Sequence, residues 1–314
     1  VKRNSQGGTI MERQVDLVVI GAGPAGLTAA LYASRAGLKT MILESGAPGG
    51  KLVKTHQISN YPGVKTLAGT DLAMSMLEQA TSFGAMYEYG DVEKVDADKK
   101  VYLSDGTVVE AKAVIVATGT KERLLNIPGE KENIGRGVSF CAVCDGAFFK
   151  DKDVVVIGGG NSALEESLYL TTFAKSVTIV IRRDVFRAEK QIQEQIEANE
   201  KIHIIKKHIP KEILSENGKV SGILLENVDT KETMTLNCQG IFPYVGQDPM
   251  SQCLEGLDVL DERGYVLVDK NMETKVKGIY AAGDVLQKDL RQVVTATNDG
   301  AIAAQHIFHE ITGM

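Results

Sequence analysis

The sequence predicts an α/β fold of two three-layer domains, the second inserted into the first. Three observations predict it. A strand, a Gly-rich turn, an Ala-rich helix and another strand follow in that order around Gly21, and the same order returns around Gly158. Each copy closes on an apolar strand that runs into a glycine, Gly119 in the first and Gly246 in the second. After Pro249 no third copy begins, and the chain ends in a long Ala-rich helix expected to return to the first domain. One pattern met twice implies two copies of one supersecondary design, here the ββα-type, Rossmann-like one.

The elements follow from local chemistry. Val15 to Ile20 and Lys39 to Glu44 are apolar runs of strand length, and Pro24 to about Ala36 between them is Ala-rich with Pro at its start, which together make a βαβ unit. Val92 to Val109 alternates in short pieces around the turn signal Asp105-Gly106, and Ala113 to Thr118 closes the copy. The second copy repeats this with strand Asp153 to Ile157, a helix from about Ser162 to Ala174, strand Ser176 to Ile181, and alternation from Ile202 to Leu236 around Asn217-Gly218. Gly240 to Val245 closes it. Residues 119–123 and 246–249 are then the crossovers, and a short strand pair, Tyr265 to Val268 with Gly278 to Ala281, precedes the last helix, Val294 to Ile311. The expected domains are 11–120 with 249–314, and 121–248.

Composition bounds the function. The 314 residues are 43% hydrophobic and 24% charged, as in a globular protein with enough chain for two cores. A net charge of −6 gives no reason to expect nucleic acid as a partner, since that affinity comes from Lys and Arg neutralising phosphates. No apolar run reaches membrane-spanning length, and four cysteines are too few for a disulfide framework, so a cytoplasmic setting is expected. The first ten residues, polar and followed by Met11, resemble a tag or vector remnant. Cys238 and Cys253, far from other cysteines, read as buried apolar residues.

The two Gly-rich turns carry binding chemistry. In Gly21-Ala22-Gly23-Pro24-Ala25-Gly26 the first glycine permits the tight turn, the second lets backbone approach a pyrophosphate, and the third lets helix and strand pack closely. The helix N-terminus supplies N–H donors for phosphate. Glu44, ending the next strand, is placed to bond ribose hydroxyls. The second turn, Gly158-Gly159-Gly160-Asn161-Ser162-Ala163, tolerates alanine at its third position because that side chain need only be small. Its following strand ends not in an acid but in Arg182-Arg183, with Arg187 beyond; guanidinium groups suit a phosphate monoester, which predicts NADPH over NADH.

Between the copies lies Cys141-Ala142-Val143-Cys144-Asp145-Gly146. Two cysteines so spaced are a redox pair, half of a zinc site or incidental. Zinc needs about four ligands, and no second such pair accompanies this one, so no metal is expected and the redox reading dominates. Asp145 is placed to protonate a leaving thiolate if its carboxyl is held partly buried.

These residues resemble the low-molecular-weight thioredoxin reductases of bacteria. The resemblance runs from Gln14 to the last helix and rests on the cysteine motif, the Gly158 to Glu166 segment, Arg182 to Ala188, Gly283-Asp284, and Leu290 to Val293. It implies an FAD domain built from the first and last segments, with an inserted NADPH domain carrying the dithiol. FAD contacts are then expected at Gly21, Gly23, Pro24, Ala25, Gly26, Glu44, Gly50, Lys51, Asn60, Ala117, Thr118, Gly119, Gly283, Asp284, Arg291, Gln292 and Val293. NADPH contacts are expected at Gly158, Gly160, Asn161, Ser162, Ala163, Arg182, Arg183 and Arg187. The resemblance implies that Cys144 faces the flavin while Cys141 attacks thioredoxin, that the inserted domain rotates at Gly119 and Gly246, and that the protein is a homodimer. Two positions depart from the pattern: Lys51 replaces a common glutamine, and Ile181 replaces the histidine before the arginine pair.

The function expected is therefore thioredoxin-disulfide reduction: NADPH reduces FAD, and the electrons pass to the Cys141–Cys144 disulfide and on to thioredoxin or a thioredoxin-like protein. The rivals are a related flavoprotein with another disulfide acceptor and a non-catalytic redox sensor. A ferredoxin–NADP reductase of similar fold would not need the cysteines.

Overall fold

The computed structural model describes residues 2–3, 9–10, 12–55, 58 and 60–314; the expected tag remnant lies largely outside them. The chain divides into two compact units, residues 1–121 with 248–314, and residues 122–247.

In the first unit, short strands β1 (Lys2–Arg3) and β2 (Thr9–Ile10) pair with each other ahead of the main sheet. That sheet is built from β3 (Glu12–Ile20), β4 (Thr40–Glu44) and β5 (Met86–Tyr89), parallel to one another, and the meander β6 (Val92–Val95), β7 (Lys100–Leu103) and β8 (Val108–Val116). Strand β8 belongs to both halves, because it pairs parallel with β3 along its length (Glu12 opposite Val108 through Ile20 opposite Val116) while its start also pairs antiparallel with β7. Helices α1 (Pro24–Arg35) and α2 (Gly69–Ser82) link the parallel strands. The period-2 geometry of a strand explains the three layers. Leu17, Val19 and Ile115 point into a core with α1, while Val18, Ile20, Val114 and Val116 point into a second core on the other face. Both faces are buried, so these strands read as continuous apolar runs.

The crossover β9 (Thr120–Glu122) leads into the second unit. After the short turns α3 (Glu130–Asn133) and α4 (Ala142–Asp145), the unit contains β10 (Asp153–Ile157), α5 (Asn161–Leu170), β11 (Ser176–Ile181), α6 (Lys190–Glu197) and β12 (Ile202–Lys206). The antiparallel meander β13 (His208–Glu216), β14 (Lys219–Asn227) and β15 (Thr233–Asn237) follows, and β16 (Gly240–Pro243) completes a parallel sheet of order β12-β11-β10-β16. Asn217 and Gly218 both take positive φ, 53° and 73°, the geometry that a two-residue hairpin turn requires. Val154 and Val156 face the helices; Val155, Ile157 and Val180 face the meander with Ile223 and Leu225.

The chain returns to the first unit through β17 (Gln247–Pro249), which pairs with β9; Gly119 and Gly246, at the two crossovers, have φ of 69° and 130°. Strand β18 (Ile279–Ala281) and helix α7 (Val293–Thr312) complete it. The expected pair of Tyr265 to Val268 with Gly278 to Ala281 does not form. Ile279–Ala281 instead joins the main sheet parallel to β8, where all three of its residues are buried, and Val266 makes only single bridges to Leu260 and Leu286. Helix α5 also stops before Ala174, because the hydroxyls of Thr171 and Thr172 bond back to the carbonyls of Leu168 and Tyr169. No helix among the described residues is long and apolar enough to cross a membrane.

Helix α7 packs on α1 through Gly300, where an added Cβ would stand 2.2 Å from the Ala25 carbonyl oxygen. Gly300→Ala is expected to destabilise the protein by about 1–3 kcal/mol in urea unfolding, although alanine is the better helix former by about 1 kcal/mol, because the crowding falls on backbone that cannot yield. A neutral or stabilising result would show that the helices separate freely.

Candidate functional site

In the first unit the predicted residues converge at the carboxyl ends of the parallel strands, where open α/β sheets bind ligands. Gly21 has φ of 102°, and a Cβ there would meet the Ala117 carbonyl oxygen at 2.5 Å and the Thr118 nitrogen at 3.1 Å, so the turn lies directly against the end of β8. A Cβ on Gly26 would stand 1.9 Å from the Gly21 oxygen, which is how closely α1 approaches the turn. Gly23, the N-cap of α1, is different: a Cβ there meets nothing within 4 Å, and no side chain caps the helix. With Pro24 and Ala25 opening the helix, its first N–H groups are left for an anion held over open backbone, which fits a pyrophosphate.

Glu44 closes one side of this turn. Its Oε2 accepts the Ala22 N–H and its Oε1 the Gly46 N–H, each at 2.8 Å, which fixes the carboxylate while leaving lone pairs for ribose hydroxyls. Gly49 donates to the Ala22 carbonyl at 2.7 Å and so brings Gly50 to the rim, where its Cβ position lies 3.3 Å from the Gly23 Cα. Lys51 donates to the Thr120 hydroxyl at 2.5 Å, Thr118 donates to the Met250 carbonyl at 2.5 Å, and Gly119 accepts the Met250 N–H at 3.0 Å.

The C-terminal segment supplies the remainder. Gly283 sits where a Cβ would touch the Ala25 Cβ at 2.8 Å, so it too borders the start of α1. Burial holds the Asp284 carboxyl above its usual range, against the opposing pull of Lys51, Lys288 and Arg291. Arg291 donates to the Asp284 and Leu286 carbonyls at 3.2 and 3.0 Å and lies 4.4 Å over the Tyr265 ring, which locks the 284–286 turn. Gln292 caps α7 in a reciprocal box with Thr295, Val293 opens the helix, and Asn60 donates to the Gln292 side chain at 3.0 Å. Sequence reasoning missed Asp299 and Lys288, an ion pair between a buried carboxylate and a half-buried lysine, in which the carboxylate also accepts the Gly283 N–H at 3.0 Å. The available signal was an aspartate in the middle of an Ala-rich helix.

In the second unit Gly158 has φ of 143°, and a Cβ there would meet the Tyr244 carbonyl oxygen at 2.3 Å. Gly160 caps α5 over open space, as Gly23 does for α1, and Ala163 is buried beneath the turn. Asn161 exchanges hydrogen bonds with Glu189, donating at 3.1 Å and accepting its N–H at 2.8 Å, while Ser162 stays exposed in the first turn. Arg187 donates its backbone N–H to the Gly159 carbonyl at 2.7 Å, which brings the arginine loop to the turn. Arg182, Arg183 and Arg187 are all exposed, as a 2′-phosphate site requires.

The same unit carries the cysteines, and they are joined as a Cys141–Cys144 disulfide. Cys141 caps α4, its Sγ accepting the Cys144 N–H at 3.1 Å. Cys141 is 7% exposed, whereas Cys144 is exposed. Ser139, missed by sequence reasoning, ties the motif together: its hydroxyl donates to Asp145 Oδ2 at 2.6 Å and accepts the Cys141 N–H at 3.1 Å. Cys238 and Cys253 are buried free thiols, pushed up to about 12 by desolvation, and so are inert at neutral pH.

The pyridine nucleotide-disulphide oxidoreductase family model matches residues 15–300. Among curated relatives, the thioredoxin reductase of Bacillus subtilis is 48% identical over 302 residues, 96% of each chain, and that of Listeria monocytogenes is 46% identical over 298 residues, 94% of this chain and 93% of the relative. The crystal structure of Lactococcus lactis thioredoxin reductase in its FR conformation superposes with a TM-score of 0.93 at 45% identity, covering 96% of this chain and 100% of that one. The T. acidophilum thioredoxin reductase structure gives 0.89 at 34% identity, covering 95% and 99%. With two nucleotide-shaped turns and a disulfide on a fold matched over nearly its whole length, the chain belongs to the pyridine nucleotide-disulphide oxidoreductase family and, within it, to the thioredoxin reductases.

Proposed function

We infer that the protein is an FAD- and NADPH-dependent thioredoxin-disulfide reductase. The observation that carries this reading is the Cys141–Cys144 disulfide, set in the same unit as an open dinucleotide turn flanked by exposed arginines. FAD would be held by the Gly21–Gly26 turn, Glu44, Gly50, Lys51, Asn60, the Ala117–Gly119 strand end, Gly283, Asp284 and Arg291–Val293. NADPH would be held by Gly158, Gly160 to Ala163, Arg182, Arg183 and Arg187. When bound, FAD supplies the two-electron relay between NADPH and the disulfide.

The chain's own residues do the rest. Two electrons entering the Cys141–Cys144 bond break it into two thiolates, of which the Cys144 sulfur takes up one proton and Cys141 stays ionised. Asp145, held at Oδ2 by Ser139, is the acid at hand. The Cys141 thiolate then attacks one sulfur of the oxidised thioredoxin, giving a mixed disulfide; Cys144 attacks that bond, releases reduced thioredoxin and restores the Cys141–Cys144 disulfide. Because Cys141 is the more buried sulfur here, its attack follows a change that exposes it. Thioredoxin is a reducing couple near about −270 mV, which a nicotinamide donor suits. A homodimer in the cytoplasm completes the reading, supported by exposed Tyr32, Met74 and Phe83 on and beside α1 and α2.

Anaerobic stopped-flow absorbance tests the electron path. NADPH should bleach the flavin band, and oxidised thioredoxin should restore it; bleaching without recovery would remove thioredoxin as the substrate. Cys144→Ser should keep NADPH oxidation by artificial acceptors, lose thioredoxin turnover and accumulate a mixed disulfide through Cys141, detected on a non-reducing gel. Replacing Arg182 and Arg183 together by alanine should raise KM for NADPH by about tenfold or more and leave NADH little changed, since a charged hydrogen bond is worth about 1.5–3 kcal/mol.

A further inference from the structure

A side-chain clasp holds the loop that carries the three arginines against the second dinucleotide turn. Residues 182–189 run from the end of β11 to the start of α6. Asn161, the first residue of α5, takes the N–H of Glu189 on its Oδ1 at 2.8 Å and gives an Nδ2 proton to the Glu189 Oε1 at 3.1 Å. A backbone N–H needs an acceptor and a carboxylate needs a donor, so the two partners fix which way the amide faces. Two residues earlier, Arg187 donates its N–H to the Gly159 carbonyl at 2.7 Å. Phe186 is buried beside it, and a Cβ on Gly159 would stand 3.3 Å from the Phe186 ring. At the other end of the loop, Lys207 holds Asp184 at 3.4 Å.

We propose that Asn161, acting through Glu189, is a positioning residue for coenzyme specificity: it holds Arg187 ready for the 2′-phosphate that distinguishes NADPH from NADH. The proposal rests on the reading of the arginine loop as the 2′-phosphate site. Arg187 is bracketed, since its own N–H is tied to the turn at Gly159 and the chain two residues on is tied again to α5. Arg182 and Arg183 depend less on the clasp. They follow directly from the end of β11, and the Arg183 carbonyl accepts the Lys207 N–H at 3.4 Å. The clasp also occupies the carboxylate of Glu189, the one acid within two residues of Arg187. Released, that carboxylate would compete with a phosphate for the same guanidinium.

The effect falls on one coenzyme and spares the other. The arginine side chains are long and exposed, so a bound phosphate must order them, and ordering one such side chain costs a factor of about two to ten in affinity. A loop whose backbone is already fixed has part of that order in place before the ligand arrives. Only a ligand that reaches the loop gains from it. NADH lacks the phosphate and gains nothing, so the clasp acts on the difference between two affinities, which is what specificity is.

The test is titration calorimetry on the full-length, flavin-loaded, oxidised protein, with adenosine 2′,5′-bisphosphate and AMP as probes. The parent should bind the bisphosphate at least about tenfold more tightly than AMP. Asn161→Ala should weaken the bisphosphate by about three- to tenfold and leave AMP within about twofold. Asn161→Ser, which suits a helix start but has no amide to bridge both partners, should do the same. Glu189→Gln, whose side-chain oxygen still accepts the Asn161 proton, should keep the parent's preference. Asn161→Ala and Arg187→Ala together should cost less than their separate effects combined, because both act on one contact. Loss of both probes alike in the Asn161 variants, loss of neither, or full additivity with Arg187→Ala overturns the proposal. Loss of preference in Glu189→Gln overturns it too, by tracing the effect to the charge of the carboxylate. A parent that binds AMP as tightly as the bisphosphate overturns the NADPH reading beneath it instead.

Discussion

The structure depends on one constraint, the approach of backbone to backbone where a parallel strand ends and a helix begins. In the first unit the Gly26 and Gly21 positions leave no room for a Cβ, at 1.9 Å from the Gly21 oxygen and 2.5 Å from the Ala117 oxygen. In the second unit Gly158 faces the Tyr244 carbonyl at 2.3 Å in the same manner. A side chain at any of these positions would push the helix off its strand. The open N-caps at Gly23 and Gly160 would then lose their alignment with the strand ends that supply the other contacts. The glycines therefore do two jobs: some allow contact, and others leave a space.

Around that frame the polar residues act mainly on one another. The resemblance places Arg291 along the flavin, and in the structure it donates to the Asp284 and Leu286 carbonyls, with its guanidinium over Tyr265. Lys288 and Asp299 form a partly buried pair whose carboxylate also holds the Gly283 N–H, so the carboxylate at 284 is presented by a turn whose backbone is tied down from two sides. Ser139 does the same for Asp145. In each case a carboxylate of the candidate site is held by neighbouring groups, the arrangement by which active sites are pre-organised.

Much of this was legible in the sequence because the signals were local. Strands β3, β8, β10 and β11 are buried on both faces and read as apolar runs, and the Asp105-Gly106 and Asn217-Gly218 turns join the strands expected of them. Helix α2 and strand β5 were not legible. Helix α2 buries only Gly69, Leu72, Ala73 and Ala80, too narrow a stripe to stand out, and β5 is a half-exposed edge strand. The 265–281 segment was misread because its apolar residues suit either a hairpin or separate partners. Ile279–Ala281 gains more by entering the buried sheet beside β8 than by pairing with Val266.

The sequence by itself determined the two turns, the dithiol, the arginine pair and the duplicated design, because each is a short run of residues whose spacing is its function. Only the tertiary structure decided which distant side chains meet. Asn60 reaches Gln292, Lys51 reaches Thr120, Lys288 pairs with Asp299, and Ser139 reaches Asp145. Local spacing is written along the chain. Burial, and with it the partners of a group such as Asp299, exists only once strands and helices far apart in sequence have closed around it.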